Sequence, residues 1–252
     1  MISILKRQKL KNKVGIIFVS KADTDIKRAM TQYAIDTARQ FGGDNDIQII
    51  VAESVKGIEY KDAEVFYHDV QPFNYNKVLN ISREKLKDKD IILFCNNDLV
   101  FTENWLDNLL ANKGLCLSPK EPTDGRQSNI TEDTKGYEVG KHFSGWCFGL
   151  IKKALQKIGN FNEDYQFWFA DNVVVDELKK LKIEPVLVVK SIVKHLGSQT
   201  LQDLEKEEKK KITFNEVARY EQETGELTEL SLKEIGRTKE GRLLANKMLP
   251  KI

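Results

Sequence analysis

Two short apolar runs constrain the fold most: Val14–Ser20 (VGIIFVS) and Asp90–Cys95 (DIILFC). Both are rich in β-branched residues, and neither approaches the roughly 20 residues of a bilayer span. Each therefore reads as a strand buried in a protein core. Between and beyond them the pattern alternates. Asp23 or Thr24 can cap a helix that ends near Phe41, where Gly42-Gly43 stops it. Ile47–Ala52 and Glu64–His68 read as strands, and Tyr75–Leu86 as a helix after the break at Pro72. A helix opening at Thr102 or Glu103 is expected to run to Ala111, and Leu115–Ser118 to form a strand ending at Pro119. Phe143–Ile151 is apolar and aromatic, Lys152–Ile158 and Asn172–Leu181 are helical, and Pro185–Val189 is the last strand. Strands alternating with helices predict an α/β sheet with helices on its faces. Residues 120–141 read as a long polar loop, a kind of segment that is often functional in a compact domain.

Composition narrows the class. Lys and Arg number 40 against 38 Asp and Glu, a formal net charge of +2, so overall charge does not announce a nucleic-acid binder. The amino-terminal stretch MISILKRQKLKNK lacks the apolar core of a signal peptide and carries Lys6, Arg7, Lys9, Lys11 and Lys13 without an acid. It reads as a solvated basic leader over residues 1–12. Cys95, Cys116 and Cys147 are odd in number and far apart, which argues against a disulfide framework or zinc knuckle and for a reducing, cytoplasmic setting. The sequons at Asn80 and Asn129 are then chance matches. After residue 200 the chain turns densely charged, with acids and bases in balance. Residues 201–252 are read as a solvated helical extension, with partner docking as the alternative.

Four pieces carry chemistry. Asn96-Asn97-Asp98 follows the strand 90–95, and ligands of open α/β sheets sit beyond the carboxyl ends of strands. A carboxylate there suits Mg²⁺ or Mn²⁺ and, through the ion, phosphate oxygens. Asp171 follows Phe167-Trp168-Phe169-Ala170, where partial desolvation would raise its pKa and make it a better base; it can equally cap the next helix. His195 follows the last strand and is a candidate metal ligand. Ser144-Gly145-Trp146-Cys147-Phe148-Gly149 offers glycines for close approach and Trp146 for stacking on a sugar, or simply an aromatic core strand.

In this order the pieces resemble a family 2 glycosyltransferase of the GT-A type across roughly residues 13–200. The resemblance rests on IILFCNNDLVFTENWLDNLL, FSGWCFGLIKKALQKIGNFNEDYQFWFADNVVVDEL and VKHLGSQT. It implies a mixed sheet flanked by helices and transfer of a sugar from a nucleotide-diphosphate sugar, UDP-sugars favoured, to an acceptor hydroxyl with inversion. The acceptor would be a glycan, a lipid-linked sugar, a protein or a phage-type modified DNA base. The resemblance implies Asp171 as general base, Asp98 and His195 as metal ligands for Mn²⁺ or Mg²⁺, and donor contacts from Ser20, Glu53, Asn76, Asn80, Asn96, Asn97 and Asp98. Gly145, Trp146 and Trp168 would line the sugar and acceptor side. The family's two-carboxylate metal motif is Asn-Asn-Asp here, with one carboxylate, and Ala170 stands where many relatives have Glu. Nucleotidyl transfer and a non-catalytic subunit with a decayed site are the competing classes; the absence of a glycine-rich turn after the first strand weighs against the former.

Overall fold

The structure is a computed structural model that describes residues 11–166, 168–197, 206–225 and 228. Most of the basic leader and most of the residues beyond 225 lie outside the described residues. Strands β1 (Lys13–Ser20), β2 (Asp46–Glu53), β3 (Glu64–Tyr67) and β4 (Ile91–Asn96) pair in parallel in the order β3-β2-β1-β4. Strand β5 is Leu99–Phe101, β6 is Cys116–Lys120, β7 is Thr134–Lys135, β8 is Cys147–Ile151 and β9 is Pro185–His195. Strand β8 lies antiparallel between β4 and β6, and the nine-stranded sheet continues through β9 to β5, with β7 also on β9.

The apolar runs are continuous because both faces of the sheet are covered. Val14, Ile16 and Phe18 enter one core with Ile35, Ala38 and Trp105, whereas Ile17 enters the other with Val78, Leu79 and Val174. Helices α1 (Asp25–Gln40) and α3 (Trp105–Ala111) supply the first face. The second is supplied by α2 (Tyr75–Arg83), α4 (Lys152–Ile158) and α5 (Ala170–Lys180). Helix α1 starts as expected: the Thr24 side chain accepts the Lys27 N–H. Strand order turns back at β1 and β4, so their carboxyl ends flank a crevice.

Three expectations are corrected. The helix expected to open at Thr102 or Glu103 begins only at Trp105, as α3, and the short, unexpected strand β5 precedes it. The last strand does not stop at Val189; Ser191 and Val193 continue the buried alternation and carry β9 to His195. The segment expected to be a solvated extension after residue 200 contains α6 (Lys206–Thr224), whose second half packs on the body through Glu216, Val217 and Tyr220. Tyr220 stacks on Phe169 with ring centroids 4.5 Å apart, and the Tyr165 hydroxyl donates to Glu223 at 2.7 Å. Among the described residues no helix is long and apolar enough to cross a membrane.

Candidate active site

Pairing of β5 with β9 decides the site. Leu99 lies opposite His195, and the Leu196 N–H donates to the Asp98 carbonyl at 2.9 Å, so residues far apart in sequence are brought side by side. Asp98 is 3% exposed. Its Oδ1 stands 3.2 Å from His195 Nε2 but out of hydrogen-bond alignment, and both atoms are buried with no other partner among the described residues. Two buried ligand atoms that face one point without bonding each other suit a shared cation, because each otherwise loses its hydration uncompensated. Among the described residues no cluster of three His, Cys, Asp or Glu side chains could hold a metal. Asp98 and His195 could hold a cation as a pair of ligands, with other positions open to phosphate or water oxygens.

The other pieces converge on this pair. Strands β4 and β8 align Cys95 with Cys147, and the Asn96 N–H donates to the Trp146 carbonyl at 2.9 Å. The Trp146 ring then stacks on the His195 ring at 5.4 Å and 17°, fixing the imidazole plane. Gly145 lies against Asp171: a Cβ there would come within 2.6 Å of the Asp171 Oδ2. Asp171 itself is half-buried at the start of α5. Burial pushes its carboxyl above the usual range, while the Asn172 N–H, at 3.0 Å, and the charge of Arg126 pull it back.

Three expected donor contacts, Ser20, Glu53 and Asn97, turn out to be buried with hydrogen bonds made inside the protein. Asn97 Nδ2 donates to Thr31 Oγ1 at 2.9 Å and to Ser20 Oγ at 3.3 Å. Glu53 is 0% exposed; it accepts the Ala22 and Val55 N–H groups and the Tyr60 hydroxyl, and burial pushes the Tyr60 phenol to about 12. These side chains brace the carboxyl ends of β1 and β2 from beneath. Asn76 and Asn80 are likewise buried on one face of α2. Asn76 donates to the carbonyls of Asn162 and Ala170, and Asn80 exchanges hydrogen bonds with the Phe161 backbone, both at 2.9 Å. Their amides pin the segment that leads to Asp171. Asn96 Oδ1 accepts the Tyr75 hydroxyl at 3.2 Å, and the Trp168 N–H donates to Glu216 at 2.6 Å.

Two residues at the site escaped the sequence reading. Burial and nearby acids push the Tyr75 phenol up, so it remains a neutral donor beside Asn96. Arg126 is carried by the 120–141 loop, which is ordered rather than loose. The fully buried Gln127 binds the Glu121 N–H, the Gly140 carbonyl and Ser144. Arg126, next in sequence, lays its guanidinium on Gly140, whose φ of +83 and missing side chain leave the space. A cavity of about 730 Å³ lies between α5 and α6, and its lining includes none of Asp98, Asp171 or His195.

The sheet order, the crevice and the flanking helices define a GT-A glycosyltransferase fold. GalNAc-T7, solved with UDP, GalNAc and Mn²⁺, superposes with a TM-score of 0.56 at 12% identity, over 73% of this chain and 44% of that one. A mannosyltransferase from Pyrobaculum calidifontis, solved with GDP-Man and Mn²⁺, gives 0.54 at 11% identity, over 75% and 58%. The Drosophila β1,4-galactosyltransferase 7 complex with manganese, UDP-Gal and xylobiose gives 0.51 at 12% identity, over 77% and 75%. The chain thus spans about half the length of the first two neighbours. No protein-family profile and no curated protein sequence matches it.

Proposed function

We propose that the chain is a family 2-like glycosyltransferase. It moves a sugar from a nucleotide-diphosphate sugar, UDP-sugars favoured, to an acceptor hydroxyl with inversion. The acceptor class is a glycan, a lipid-linked sugar, a protein or a modified DNA base. The observation that carries the reading is the unsatisfied pair of Asp98 Oδ1 and His195 Nε2 at the crevice of a GT-A fold. Mn²⁺ or Mg²⁺ held there would supply positive charge to the departing nucleoside diphosphate. All three neighbours above were solved with manganese, two of them with UDP or a UDP-sugar, which supports the choice of metal and donor.

The chain's own residues do the rest. Asp98 and His195 bind, and the Trp146 ring keeps the imidazole oriented. Asp171 takes the proton from the acceptor hydroxyl; its raised pKa moves it toward the pH at which a base works best. Arg126 places positive charge on the same side of the cleft, where negative charge develops during transfer. Tyr75 contributes a neutral hydroxyl next to Asn96. The Ser20–Asn97–Thr31 and Glu53–Tyr60 contacts hold the strand ends rigid, which supplies orientation.

A melting screen of nucleotide sugars with and without Mn²⁺ tests this. A ligand at about 100 times its Kd stabilises the native state by about 2.7 kcal/mol. For a chain of this size that raises Tm by roughly 5–10 °C. A shift that needs both a nucleotide sugar and Mn²⁺ is expected. No shift with any nucleotide sugar would favour a non-catalytic subunit.

A further inference from the structure

Residues 160–169 connect α4 to α5 and deliver Asp171, yet those described among them form no helix or strand of their own. Helix α2 holds one side of the segment. Asn74 Nδ2 donates to the Glu163 carbonyl at 2.6 Å, the Tyr75 N–H donates to the Gln166 carbonyl at 2.9 Å, and Asn76 and Asn80 add the bonds described above. Helix α6 holds the other side. The two oxygens of Glu216 accept the backbone N–H groups of Gln166 and Trp168 at 2.5 and 2.6 Å. Arg219 donates to the Asp164 carbonyl at 3.1 Å, and Tyr220 stacks on Phe169 at an interplanar angle of 11°.

The segment needs that second hold. Phe169, two residues before Asp171, has φ +60 and lies in the left-handed region, which a bulky side chain adopts only when its surroundings impose it. Its ring is fixed by Tyr220 and Tyr165, and the N–H preceding it is fixed by Glu216. Glu216 is 6% exposed, and charge-assisted bonds to backbone N–H groups are strong and directional in such surroundings.

We propose that Glu216 is a positioning residue for Asp171: its carboxylate clamps the Gln166 and Trp168 backbone, sets the strained turn at Phe169, and so fixes the first turn of α5 from outside the sheet. The proposal rests on the reading of Asp171 as the base. It also makes α6 a part of the catalytic assembly.

The test uses the full chain and the isosteric change Glu216→Gln, with Gln222→Ala, exposed on the same helix, as control. The amide replaces one acceptor by a donor that faces an N–H, so one clamp bond is lost. Hydrogen exchange should then quicken about tenfold or more at Gln166 and Trp168, and also at Val173, whose N–H bonds the Phe169 carbonyl in the first turn of α5. Turnover should fall about 10- to 100-fold, the scale of a sub-ångström to 1 Å misplacement, with the donor KM and Mn²⁺-dependent UDP binding unchanged. Unchanged protection at Val173, or unchanged turnover, overturns the proposal. If the parent chain transfers no sugar, the functional reading fails by itself, and the Val173 exchange still decides whether Glu216 sets the turn that carries Asp171.

Discussion

Gly145→Ala should cripple turnover without touching donor binding, and the structure says by how much. A Cβ at residue 145 would lie 2.6 Å from Asp171 Oδ2 and 2.7 Å from Asp171 Cβ. Rotating the carboxylate could relieve the first contact but not the second, because Cβ moves only with the backbone of α5. Ordinary contact begins near 3.4 Å, so one backbone must give by about 0.7 Å. A misplacement of about 1 Å at a reacting group costs on the order of a hundredfold. The expected loss in kcat is therefore between about tenfold and a hundredfold, or about 1.4–2.7 kcal/mol of transition-state stabilisation. Overpacking should also cost about 1–3 kcal/mol of fold stability. Initial rates with the nucleotide sugar found in the melting screen, read beside Mn²⁺-dependent UDP binding, separate the two effects. Gly125→Ala, where an added Cβ meets nothing within 4 Å, is the matched control and should behave as the parent. Parent-like kcat in a folded Gly145→Ala protein would refute the placement of Asp171 as base.

The remaining predictions are briefer. Asp171→Asn should lower kcat by about 10²–10⁴-fold while calorimetry finds nucleotide binding intact. The same variant should melt higher than the parent at pH 7. Burial raises the Asp171 pKa in the folded chain, so its charged form opposes folding; the gain should be full above the raised folded pKa, fade as pH falls through it, and be gone below about 4, where the parent's carboxyl is protonated in both states. Asp98→Ala should weaken Mn²⁺-dependent UDP binding by about tenfold or more, and unchanged calorimetry would remove its metal role. Asn80→Ala strands the N–H and carbonyl of Phe161, so it should cost about 2–4 kcal/mol and about 5–15 °C in Tm, with UDP binding per folded molecule unchanged.

The sequence made the sheet legible wherever strands are apolar on both faces. The runs at 14–20, 47–52 and 90–95 fall within a residue of β1, β2 and β4. It hid β5 and the far half of β9, because Leu99–Phe101 is three residues long and Lys190 and Lys194 interrupt an otherwise buried alternation. At the site, residue types pointed to Asp98, Asp171 and His195, but not to which polar groups meet each other. Ser20, Glu53, Asn76, Asn80 and Asn97 were drawn as donor contacts, yet their hydrogen bonds are made within the protein, and only tertiary pairing reveals that. Arg126 left no local signal, since what aims it is the burial of its neighbour Gln127 and the open face of Gly140. The tail misled through its charge: evenly mixed acids and bases masked Glu216, Val217 and Tyr220, which turn inward at helical spacing.

That inward face of α6 bears on how the molecule divides. A cut at residue 200 looks natural in the sequence and would leave every sheet strand and both candidate metal ligands in place. It would also take the Glu216 carboxylate from the Gln166 and Trp168 amides and the stacked Tyr220 ring from Phe169. Such a fragment should still capture a nucleotide while failing to turn it over, so the boundary of the folding unit and the boundary of the working unit fall at different places along the chain.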